Sequence, residues 1–205
     1  MKIEERIDKL KDTLQDPRFI KMKGLGNEVP YYIFDYPPNK ELLIRETIPK
    51  LISSFSKKDI NILEINLYTI VLEILFEKVS PEKLIEYERK KGSKELLEKI
   101  RPMLKTNLIN QKIKEKVNSK NYDIIFISGV GTAWPMIRSH QILNNLQSII
   151  SEIPLILFYP GEYTKYDLSL FGKLKEGNYY RAFRLIDYTE EVRWYGKINQ
   201  LKTCL

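Results

Sequence analysis

Apolar positions along this chain alternate between two periods, and the switches mark its elements. Ile3, Ile7, Leu10 and Leu14 recur at helical spacing, and Asp16-Pro17 ends that run. After the glycine-containing loop Gly24-Leu-Gly-Asn-Glu-Val-Pro30, Tyr31-Tyr-Ile-Phe-Asp-Tyr36 reads as a strand, stopped by Pro37-Pro38-Asn39. Leu42, Ile44, Ile48, Leu51, Ile52 and Phe55 make a helical face from Glu41 to about Phe55; Pro49 inside it is expected to break or kink the helix. A second strand spans Asp59 to Asn66, and period 3.6 returns through Leu67, Ile70, Val71, Ile74 and Leu75. Ser80-Pro81-Glu82 starts a further helix with a cap residue, a proline at the first position and an acid. Gly92-Ser93 restarts another that closes near Pro102, and a short one ends near Asn118.

The run Asp123 to Ser128 is apolar enough for a central strand. Pro135 to Ser151 shows two helical stripes, Met136–Leu143–Ile150 and Ile142–Leu146–Ile149, so it predicts a well-buried helix. Pro154 to Tyr159 is a fourth strand closed by a Pro160-Gly161 turn, and Tyr179 to Ile186 a fifth; Leu168 to Leu174 fits neither period cleanly. Strands alternating with helices predict an α/β fold, a mainly parallel sheet of about five strands flanked by helices. A length of 205 residues suits a single α/β domain over 1–205, with a helical insertion at about 78–120 and a C-terminal extension at about 187–205.

Composition sharpens the class. No apolar run approaches the roughly 20 residues of a membrane helix, and acids occupy the N-terminus where a signal peptide is apolar, so a cytoplasmic protein without membrane contact is expected. The one cysteine, Cys204, excludes an internal disulfide or a cysteine-based zinc site, and His140 alone makes no multi-histidine site, so neither metal nor cofactor is expected. The net charge is +7, and the whole excess lies between Lys78 and Lys120, where 13 Lys and Arg face 6 Glu. That stretch is either a surface for DNA or an acidic partner, or a solvated helical face. Tyr87 is its only aromatic residue, which argues against stacking on single strands.

In parallel α/β sheets, ligands collect at the carboxyl ends of strands. Three turns meet that description here, carrying Asp35, Gly129-Val-Gly131 and Pro160-Gly161-Glu162. Gly129 and Gly131 begin like a dinucleotide fingerprint, but Trp134 stands where the third glycine belongs, and no Gly-Lys-Ser/Thr follows for a phosphate loop. Gly129, Gly131 and Thr132, with Arg138 as countercharge and Glu162 nearby, remain candidates for holding an anion; the alternative is a tight turn in which glycine relieves steric crowding. Asp35 and Glu162 would make a carboxylate pair for magnesium or acid–base work if strand order joins them; otherwise they cap turns. His140 falls on the Met136 stripe and reads as a buried histidine. Tyr179, Tyr180, Arg181 and Arg184 form an aromatic–arginine strand of the kind protein interfaces favour, with Arg181 and Arg184 on opposite faces. No complete catalytic set appears.

Several of these blocks taken in order resemble the BrxB family of BREX phage-defence systems: Gly24 to Tyr36, Ser128 to Gln147, Pro154 to Tyr163, Leu168-Ser-Leu-Phe-Gly172 and Asn178 to Arg184. The resemblance implies an accessory component without established catalytic residues. It implies neighbours among the alkaline-phosphatase-like PglZ, the methyltransferase PglX and the ATPase BrxC, with PglZ the expected direct partner. Residues 187–205 extend beyond the resemblance.

Overall fold

The computed structural model describes all residues except 23–29, 139–141, 143–144, 147–148, 165–166, 176–181 and 187–205. The N-terminal helices α1 (Ile3–Gln15) and α2 (Pro17–Ile20) precede strand β1 (Tyr31–Tyr36), and α3 (Glu41–Ser56) leads to β2 (Ile62–Asn66). Four helices follow β2: α4 (Leu67–Phe76), then α5 (Pro81–Lys91), α6 (Ser93–Ile100) and α7 (Thr106–Val117) over the stretch expected as an insertion. Then come β3 (Ile124–Ser128), the one-turn α8 (Val130–Ala133), β4 (Leu155–Tyr163), the β5 (Leu168–Leu170) and β6 (Leu174–Lys175) hairpin, and β7 (Phe183–Arg184).

Five strands run parallel in the order β2-β3-β4-β1-β7. Alternation along each strand divides the core. Tyr32, Phe34, Phe126, Ile156 and Phe158 pack against α1 and α3. Ile33, Ile125, Ile127, Leu155 and Leu157 face α4, α7 and the segment after α8. Both faces are therefore covered, which explains the near-continuous apolar strands.

Three local expectations change. Pro49 does not break α3: Ile44, Ile48, Leu51 and Phe55 bury one stripe through it, and that packing outweighs one lost hydrogen bond. The helix expected from Pro135 does not start there: a separate one-turn helix spans Val130–Ala133, Trp134 is held extended (ψ 138°) ahead of the proline, and 135–138 are not helical. Helical backbone returns within the expected span, at Ile142, Asn145 and Leu146. Strand β4 does not close at Tyr159. Its pairing with β1 ends at Tyr36 opposite Pro160, and Gly161 to Tyr163 then pair antiparallel with β5.

Candidate functional site

The chain leaves β1 toward the face covered by α3 and leaves β3 toward the face covered by α8. The crevice that binds ligands in such sheets therefore opens over the intervening β4. Here the chain's own hairpin fills it. A Cβ on Gly131 would sit 3.0 Å from both the Phe171 ring and Pro160, and one on Gly161 would sit 2.1 Å from the Ser169 carbonyl oxygen. The Phe171 N–H donates to the Pro160 carbonyl at 2.8 Å, fixing the hairpin over the turn. Gly129 is left-handed (φ 71°), and a Cβ there would lie 2.3 Å from Asn66 Oδ1. That oxygen caps α4 by accepting from the N–H groups of Tyr68 (3.0 Å) and Thr69 (3.2 Å). The glycines thus let one strand end pass over a neighbour's cap and let the hairpin seat, which is the steric reading of the turn.

Thr132 is tied into a polar chain. Its hydroxyl accepts from Arg45 Nη2 at 3.2 Å, Arg45 pairs with Glu41 at 3.4 Å, and the Tyr36 hydroxyl donates to Glu41 at 2.7 Å. Burial first, then the Glu41 carboxylate, push the Tyr36 phenol pKa far up, so Tyr36 stays a donor.

Asp35 and Glu162 are brought together, but around arginines. Asp35 is wholly buried; its carboxylate lies 3.1 Å from Arg6 Nη2 and 3.7 Å from Arg184 Nη2, and accepts the Tyr163 N–H at 2.9 Å. Glu162 is half-buried, and its pKa is raised by burial and by the Asp35 charge, with Arg184 opposing. These partners leave Asp35 serving α1, β1, β4 and β7 rather than a free cation. Among the described residues no group of three or more His, Cys, Asp or Glu could hold a metal ion.

Arg184 was a candidate partner-contact residue; its side chain is 10% exposed and turned to Asp35, so it faces the carboxylates. Tyr179, Tyr180, Arg181 and His140 lie outside the described residues. Arg138 does not join Glu162; it lines a separate cleft with Arg101 and Thr106. The basic insertion is less open than its charge suggests, because Lys112 pairs with Glu77 just past the end of α4 and Lys116 with Glu73 within it. The hairpin α5–α6 adds little, with six Lys and Arg against five Glu between Pro81 and Ile100.

Arg6, Arg101, Phe171 and the exposure of Trp134 were not singled out in the sequence. Arg6 had a signal: it falls on the Ile3–Leu10 stripe, and Asp35 falls inside an otherwise apolar strand, so each implies a buried partner. Trp134 is 40% exposed and stands edge-on to Phe171 with centroids 6.1 Å apart. Leu174, on the same hairpin, is exposed too.

The family model for "BREX protein BrxB" matches residues 63–185. A "BREX protein BrxB" of Bacillus cereus (strain H3081.97) is 44% identical over 191 residues, covering 91% of this chain and 98% of the relative. One of Escherichia coli O9:H4 (strain HS) is 34% identical over 187 residues, covering 91% and 93%. No solved structure matches the chain. Identity sustained across nearly the whole length of two relatives, with a family match that spans β3 to β7, shows that the chain belongs to the BrxB family of BREX proteins.

Proposed function

We propose that this BrxB-family chain is an accessory component that binds PglZ and helps assemble the defence complex, without catalysis of its own. A role in BREX phage defence follows from the family; the direct partner is our reading. The observation that supports it is the surface at the carboxyl edge of the sheet. There the crevice is filled by the β5–β6 hairpin, and Trp134 stands outward, braced by Phe171. Arg45 lies beside it through Thr132 and Arg101 through the Pro135 carbonyl. A part-exposed tryptophan whose chain neighbours Thr132 and Pro135 are held by arginines has the residue types that interface hot spots favour.

The test is co-purification of the chain with PglZ of the same system. The wild type should be retained. Trp134→Ala should weaken retention at least tenfold, as loss of a hot-spot aromatic does. Leu42→Ala, a change at a 70% exposed residue on α3, should leave it unchanged. Failure of the two folded wild-type proteins to associate overturns the reading.

A further inference from the structure

The surface around Trp134 carries a charge that narrows what can cover it. The turn 129–138 and the hairpin 168–175 supply that surface, and together they contain Arg138, Lys173 and Lys175 and no acidic residue. All three cations are exposed. Two more come from elsewhere in the chain and are bonded to the neighbours of the indole. Arg45 Nη2 donates to the Thr132 hydroxyl at 3.2 Å, and Arg101 donates to the Pro135 carbonyl oxygen from Nε at 3.3 Å and Nη2 at 3.1 Å. Among the described residues, Glu41 is the one carboxylate paired with any of these five cations, and it also accepts the Tyr36 hydroxyl. Trp134 and Leu174 meanwhile expose apolar area on the same two segments, with Phe171 set edge-on to the indole. Exposed apolar side chains thus stand on segments whose charge is all of one sign.

We infer that the element covering this surface is an acidic polypeptide segment with an aromatic or aliphatic anchor. The anchor lies against Trp134, and the carboxylates beside it meet the lysines of the hairpin and the arginines around the turn. Potentials across a specific interface are complementary, and steering by a single-sign surface selects partners of the other sign. A nucleic acid fits the charge but not the apolar part. Single strands stack on successive aromatic side chains, and of the two aromatic residues on these segments only Trp134 is exposed. The inference rests on the reading of Trp134 as a contact residue and goes further by naming the chemistry of what it contacts.

Selection of random peptides displayed on phage against the immobilised full chain tests it, with duplex and single-stranded DNA oligonucleotides as further probes. Enriched peptides should carry Asp and Glu on both sides of an aromatic or aliphatic residue. A synthetic peptide of that pattern should bind the wild type, and severalfold more weakly as salt rises from about 50 to about 200 mM, through screening. Trp134→Ala should weaken binding at least about tenfold. The charge-reversing pair Lys173→Glu and Lys175→Glu should weaken it about fivefold or more, mainly through slower association. Both lysines are exposed, so this variant should melt with the wild type. No enrichment, enrichment of peptides without an acidic excess, or wild-type binding by either folded variant overturns the inference. DNA bound more tightly than the peptide and lost in the same variants assigns the surface to nucleic acid and also overturns it. PglZ takes no part in the selection, so a chain that selects acidic peptides at Trp134 yet fails to retain PglZ overturns the partner reading alone.

Discussion

Replacing Arg6 by methionine removes a fully buried positive charge and leaves Asp35 to the rest of its cluster. Arg6 and Asp35 are 1% and 0% exposed, 3.1 Å apart. The same guanidinium reaches the Ile186 carbonyl at 3.5 Å and lies 4.8 Å from the centre of the Phe34 ring. Breaking one side of a buried ion pair costs about 3–5 kcal/mol, because the remaining charge stays out of water. Arg184 at 3.7 Å and the Tyr163 N–H at 2.9 Å still hold Asp35, which argues for the lower half of that range. The lost cation–π contact adds roughly 0.5–2 kcal/mol. Urea unfolding reads the sum directly: at a slope of about 2–3 kcal/mol/M, a loss of about 3.5–6 kcal/mol moves the midpoint down by about 1.2–3 M with the slope unchanged. The double variant Arg6→Met/Asp35→Leu should recover part of the loss, since it removes the stranded charge as well. A single variant that loses less than about 1 kcal/mol, or a double variant whose loss is the plain sum of the two singles, would refute the account of a coupled buried pair.

Two further outcomes follow from the strand-end turns. Gly129→Ala forces a side chain into a left-handed position, about 1–2 kcal/mol, and pushes aside the Asn66 cap of α4, about 1 kcal/mol more. For a chain of this size the melting temperature should fall by about 4–12 °C, and a drop under about 2 °C in a thermal scan contradicts the steric reading. Glu162 has its folded-state pKa raised above the ordinary 4.5, so the folded protein binds more protons than the unfolded one once pH exceeds that value. Stability therefore falls as pH rises through the window between 4.5 and the raised pKa. Glu162→Gln should match the wild type below the window and melt higher above it; an advantage confined to low pH would reverse the sign.

Much of the fold was legible because it follows from local pattern. Apolar strand runs marked β1, β2, β3 and the first half of β4, and the Ser80-Pro81 start placed α5. The misread places are where long-range packing outweighs a local rule. Pro49 is carried within α3 by its buried stripe. Gly161 looked like a turn because glycine and proline are turn residues, yet it is the residue that lets β4 change partners and run against β5. The hairpin itself could not be foreseen, since its three-residue and two-residue strands have no period of their own.

The site shows the same division more sharply. Residue types and spacing were enough to place Asp35, Gly129, Gly131 and Glu162 at strand ends and to exclude the standard dinucleotide and phosphate loops. They were enough, too, for the family, because several blocks in order carry more information than any motif. What each strand-end residue touches depends on which strands lie side by side, and side-by-side order is set by burial summed over the whole sheet rather than by neighbours in the chain. Only the tertiary structure joined Asp35 to Arg6 and Arg184 from opposite ends of the sequence, seated Phe171 over Gly131, and carried Arg138 away from Glu162 to stand beside Arg101.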